Sequence, residues 1–136
     1  MSDTSSSRPL PLAGVRVLDV SQVMAGPYAC MLLADLGADV IKIEPPQGGD
    51  QTRGAMGFKL KGTDSMGFLN MNRNKRSIAL DLKDSEAQAI VRRLAAESDV
   101  LIENFRPGAL EGWGLGPEAL LEANPRLIVL RVSGYG

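Results

Sequence analysis

Three observations predict an α/β fold with a mostly parallel sheet flanked by helices. Short, β-branched apolar runs recur at residues 15–20, 39–44, 77–82, 99–104 and 127–132. Helix-type segments alternate with these runs, and alternation of this kind joins strands by crossovers and so makes them parallel. The composition is that of an ordinary globular protein, 44% apolar and 23% charged, and 136 residues suffice to bury a core.

The first run, VRVLDV, alternates around valines and reads as a strand. Residues 21–26 form a loop, and Pro27 suits a first helical turn because it needs no amide donor there. Residues 28–36 are apolar nearly all round and read as a helix, with Gly37 placed as its left-handed stop. DVIKIE at 39–44 is the second strand, closed by Pro45 and Pro46, and the three elements make one right-handed βαβ unit. Residues 47–67, with scattered charges and repeated glycines, read as one long irregular segment, which in a compact fold is usually functional. After the third strand, Ser85 and Gln88 have capping-box spacing, with Asp84 as a competing N-cap. Ala87, Ile90, Val91 and Leu94 follow i, i+3, i+4, i+7, so this helix lays one apolar stripe on the sheet. A fourth strand at 99–104, a turn at 105–108, a short helix at 117–123 and a fifth strand at 127–132 complete the pattern. Residues 1–11 read as a flexible tail and 12–136 as part of a domain that stops at the carboxyl end of its last strand, as though truncated.

Composition excludes several chemistries. A net charge of -1 leaves no bulk attraction for nucleic acid or a membrane surface, and six aromatic residues are too few for base-stacking platforms. The chain contains no His and one Cys, so a metal site is not expected and an internal disulfide is impossible. Cys30 sits mid-helix among Met31, Leu32 and Leu33 and reads as a buried structural thiol. No apolar run approaches the roughly 20 residues of a membrane span, and the polar opening lacks a signal peptide's apolar segment, so a cytoplasmic location is expected. A dinucleotide reading fails because the turn VMAGPYA has one glycine where the fingerprint needs three, although Glu44 stands near the place of a ribose-binding acid.

The densest positive charge is in NRNKRSIALDLK at 72–83. Arg73, Lys75 and Arg76 fit either a local field for a phosphate-rich ligand or a solvated turn ahead of a strand.

Four blocks in register resemble the class III CoA-transferases, the family of formyl-CoA transferase, the carnitine CoA-transferase relatives and α-methylacyl-CoA racemase. They are PLAGVRVLDVSQVMAGPYACMLLADLGADVIKIEPPQGGD, NRNKRSIALDLKD, DVLIENFRPGAL and NPRLIVLRVSGYG, running from Pro11 to Gly136. The resemblance implies the N-terminal portion of a Rossmann-like large domain that binds coenzyme A as a substrate, with no permanently bound cofactor. It also implies a second domain, a carboxylic acid acceptor and an interlocked homodimer. The transferase aspartate that attacks the acyl-CoA carbonyl is expected beyond Gly136, so no catalytic residue is assigned within this chain. Matching the family's motifs places CoA contacts at Ala25, at Leu80, Asp81, Leu82 and Lys83, and at Asn104, Phe105 and Arg106. On bottom-up grounds Leu80 and Leu82 serve equally as core residues, Asn104 as a turn former and Phe105 as a core aromatic.

The chain departs from the family's pattern in three places. Pro45 and Gly112 stand where many members carry arginines, and Arg53 or Arg106 is the candidate substitute. Gln22 and Met24 occupy the first loop where formyl-CoA transferases have His and Gln, which speaks against formyl or oxalate specificity. Three readings remain at this point: a CoA-transferase, an acyl-CoA racemase or epimerase, and a CoA-binding fragment without catalysis. The wording NRNKRS leans toward the transferases.

Overall fold

In a computed structural model, residues 8–59 and 62–135 are described. Residues 1–7 of the predicted tail, and Gly136, lie outside the described residues.

Five strands form one parallel sheet: β1 (Arg16–Asp19), β2 (Asp39–Glu44), β3 (Lys75–Ala79), β4 (Val100–Glu103) and β5 (Ile128–Arg131). Their spatial order is β3-β2-β1-β4-β5. Connections therefore step one way from β1 to β3 and the other way from β1 to β4 and β5. That reversal opens a crevice outside the carboxyl ends of β1 and β4, where open parallel sheets take their ligands. The α/β prediction is met, and β2 has the bounds read from the sequence.

The helices are α1 (Ala25–Asp35), α2 (Thr52–Ala55), α3 (Met66–Met71), α4 (Ser85–Ala96), α5 (Ala109–Gly112) and α6 (Pro117–Ala123). Strand residues alternate between two apolar layers, as the pleat requires. Leu18, Ile43 and Leu101 pack with Val91 and Ala95 of α4 and with Leu110 and Leu120 of α5 and α6. Val17, Val40 and Ile102 face the other way, toward Cys30 and Ala34 of α1. Cys30 is fully buried, and that burial, aided by the neighbouring Asp19, pushes its thiol well above its ordinary range, so it is inert. The predicted stripe of α4 holds, with Ala87 and Val91 buried and Leu94 packed against the core.

Four local expectations change. The segment 47–67 contains two short helices, α2 and α3, the second capped by Ser65 Oγ accepting from the Phe68 amide at 3.1 Å. The α4 cap is Asp84, accepting from the Glu86 amide at 2.9 Å, while Gln88 instead donates to the Leu82 carbonyl. A short helix, α5, follows Gly108, which adopts φ +87° and so allows the chain to turn directly into it.

The third strand is shifted toward the N-terminus. Lys75 pairs in register with Val40, so β3 starts two residues before the predicted position. It ends at Ala79. The Leu80 amide still donates to the Glu44 carbonyl, but the Asp81 carboxylate accepts from the Lys83 amide at 3.0 Å and bends the chain away. Leu80 to Lys83 are thus a post-strand turn.

Candidate functional site: a cavity at the carboxyl edge of the sheet

Loops following four strands converge on a cavity of about 260 Å³. Val20 and Gln22 come from the loop after β1, and Pro45, Pro46 and Gln47 from the turn after β2. Leu80, Asp81, Leu82 and Lys83 form the wall after β3, and Phe105 and Trp113 close the side after β4. Phe105 and Trp113 meet edge to face, with ring centroids 5.3 Å apart, which fixes both rings beside the opening. The lining is mostly apolar with a few polar groups at its rim, the usual character of a small-molecule site.

Five of the eight sequence-predicted contacts, Leu80, Asp81, Leu82, Lys83 and Phe105, line this cavity. Leu82 is also part of the buried core, so both readings of it hold. Lys83 is exposed at the rim and makes no ion pair among the described residues, which leaves its ammonium available. The other three stand apart from the lining. Ala25 is exposed at the start of α1, and Arg106 is exposed in the turn after β4. Asn104 uses both ends of its side-chain amide on the Gln22 peptide, accepting from its N–H at 2.8 Å and donating to its carbonyl at 2.7 Å.

The basic residues of 72–83 serve the fold. Arg73 pairs with Asp35 and Arg76 with Asp39, at 2.5 and 2.6 Å. The bond from Arg73 holds the Asp35 carboxyl below its usual range. The Lys75 side chain is buried, its ammonium 2.8 Å from Asp19 and 2.9 Å from the Pro27 carbonyl. Burial lowers its pKa, against the opposing pull of Asp19. None of the three lines the cavity.

Beneath the cavity lies a set of buried charges that the sequence reading missed. Lys42 is 1% exposed and sits 3.0 Å from Asp50 and 3.9 Å from Asp19, both carboxylates fully buried. Beside it, Glu44 accepts from Arg53 Nε and Nη2 (both 2.7 Å), from the Ser77 hydroxyl and from the Asp50 amide. Burial alone would raise the Glu44 pKa, but these bonds and the guanidinium charge outweigh it and hold it at about 2. Arg53 also pairs with Asp64 and lies 3.8 Å above the Phe68 ring. The Arg53 guanidinium is thus engaged by Glu44, Asp64 and the Phe68 ring. A signal for this network was present in DVIKIE, where Lys42 and Glu44 recur on one face of an otherwise buried strand.

Gly26 shows how tightly α1 presses on the loop after β1. A Cβ there would lie 2.3 Å from Ser21 Cβ and Oγ. Alanine ordinarily favours a helix by about 1 kcal/mol over glycine, yet Gly26→Ala is expected to destabilise by about 1–3 kcal/mol through overpacking. Thermal unfolding checks the sign, and an unchanged or raised Tm would contradict the close contact.

The profile of CoA-transferase family III matches residues 12–136, nearly the whole chain. The chain belongs to CoA-transferase family III. It is 51% identical to the succinyl-CoA–L-malate CoA-transferase beta subunit of Chloroflexus aurantiacus over 127 residues, covering 93% of this chain and 31% of that protein. It is 48% identical to the human succinyl-CoA:glutarate CoA-transferase over 126 residues, covering 93% of this chain and 28% of that protein. Among solved structures, a CaiB/BaiF family protein from Brucella suis superposes with a TM-score of 0.88 at 43% identity, over 95% of this chain and 35% of that one. The chain thus spans about a third of the length of these relatives. Among the described residues, no cluster of three or more His, Cys, Asp or Glu is arranged to hold a metal ion, and no helix is long and apolar enough to cross a membrane.

Proposed function

We propose that the intact protein is a CoA-transferase that moves coenzyme A between carboxylic acids, and that this chain carries part of its CoA site. The carrying observation is the coincidence of family and geometry: a member of CoA-transferase family III has its predicted Leu80–Lys83 contacts on the wall of a cavity at the sheet's carboxyl edge. The apolar walls suit the adenosine portion of CoA, and the free Lys83 ammonium suits its phosphates or ribose. Asn104 serves this site through Gln22.

The chemistry is covalent carboxylate catalysis. An aspartate outside these 136 residues attacks the acyl-CoA carbonyl carbon, forming a mixed anhydride and releasing the CoA thiolate. The thiolate attacks the aspartyl carbonyl of the anhydride, expelling the first acid as its carboxylate and leaving an enzyme–CoA thioester. The acceptor carboxylate then attacks that thioester, and the freed thiolate takes the new acyl group while the aspartate is regenerated. The relatives' names support succinyl-CoA as donor and a dicarboxylate as acceptor. The assembly is a pair of chains, alike or as sister subunits, in the cytoplasm.

Incubating the intact protein with succinyl-CoA and glutarate or L-malate is expected to yield the new CoA thioester and free succinate. Without acceptor, mass spectrometry is expected to find a modified aspartate; turnover without any modified Asp would sink the covalent route. Lys83→Ala is expected to raise KM for acyl-CoA by about 5–20-fold, the loss of one charged contact, with kcat nearly unchanged. An unaltered KM would remove Lys83 from the site.

A further inference from the structure

The loop between β1 and α1 is held by side chains from several different elements. Asn104, just after β4, grips both polar groups of the Gln22 peptide at 2.8 and 2.7 Å. Lys42, inside β2, donates to the Ser21 carbonyl at 2.9 Å. Asp50, anchored by the Thr52 amide and hydroxyl, accepts from the Val23 amide at 3.2 Å. Val23 adopts φ +69°, which for a β-branched residue is a strained, left-handed conformation. Such strain persists only where the surroundings over-determine it, and it gathers at functional sites. The buried Lys42–Asp50 pair is by itself a weak source of stability. Strain and buried charge converge on a turn whose Gln22 forms part of the cavity wall.

We propose that Asn104, Asp50 and Lys42 are positioning residues that lock the turn at Gln22 and Val23 in its left-handed shape, so that the cavity wall is complete before acyl-CoA arrives. The consequence for turnover rests on the CoA-transferase reading; the locked loop itself does not. A group set in place beforehand spares the reaction the ordering it would otherwise need. Asn104 acts through Gln22, since both ends of its amide are occupied by that peptide.

The test uses the full-length protein. Asn104→Asp is isosteric; it keeps the acceptor for the Gln22 N–H and sets an oxygen against the Gln22 carbonyl. It is expected to lower kcat/KM for acyl-CoA by about 10–100-fold, chiefly through KM, because the ligand must then order the wall at Gln22 itself. Adding Val23→Gly, which holds a positive φ without outside help, is expected to recover at least about fivefold of that loss. A kcat/KM within twofold of wild type for Asn104→Asp, or a double variant no better than the single, overturns the proposal. Hydrogen exchange supplies a readout that needs no substrate: the Gln22 and Val23 amides are slow in wild type and at least about tenfold faster in Asn104→Asp. Fast exchange at both in wild type overturns the locked loop whatever the enzyme does. Protected amides in a wild type that transfers no CoA support the locked loop and overturn the functional reading instead.

Discussion

Lys42→Met is expected to destabilise the fold by about 3–5 kcal/mol, the cost of leaving a buried charge without its partner. The side chain is 1% exposed, and its ammonium meets Asp50 at 3.0 Å and the Ser21 carbonyl at 2.9 Å, with the Asp19 carboxylate 3.9 Å away. Methionine replaces most of the volume and none of the charge. Asp19 keeps Lys75 at 2.8 Å, so the loss falls chiefly on Asp50, which retains only Thr52 and the Val23 amide. In calorimetry the Tm should fall by at least about 10 °C. Neutralising the stranded group by Asp50→Asn in the same chain should recover a substantial part, and the double-mutant cycle measures how much of the cost is the pair's own. A loss below about 1 kcal/mol would place the ammonium in reach of water, contrary to its burial.

The same network explains what the sequence did and did not reveal. Strand and helix order was legible because parallel strands buried on both faces read as short apolar runs, and β1, β2 and β4 are of that kind. The edge strand β3 was misplaced because its first two residues, Lys75 and Arg76, carry charges that look solvated in one dimension. Their partners lie far along the chain: Asp19 for Lys75 and Asp39 for Arg76. Leu80 to Lys83, singled out through a motif, reach the cavity wall despite the shift in strand boundary. Pro45, Pro46 and Trp113 carried no local signal for a binding wall, because they become one only where the loops after different strands meet. Asn104 was placed as a ligand contact by the family's motif and as a turn former by its position after a strand; its hydrogen bonds to Gln22 span 82 residues of sequence and belong to the topology.

Acidification from pH 5 to 2 is expected to remove about 3 kcal/mol of stability through Glu44 alone. Its pKa is about 2 in the fold against an ordinary 4.5, even though burial pushes it the other way, because Arg53, Ser77 and the Asp50 amide all bind the charged form. Between these values the native state holds fewer protons than the unfolded chain. The contribution is therefore complete above about pH 4.5 and is lost as pH falls through about 2. Asp50 and Asp35, also held below their usual range, add to the loss in the same direction. Comparison with Glu44→Gln isolates the one group: the amide variant should be less stable near neutrality, and the two Tm curves should converge near pH 2. A gap that stays constant from pH 6 to 2 would show that Glu44 does not titrate in this window. The effect reaches the cavity, because Glu44 is part of its lining and accepts from the Asp50 amide.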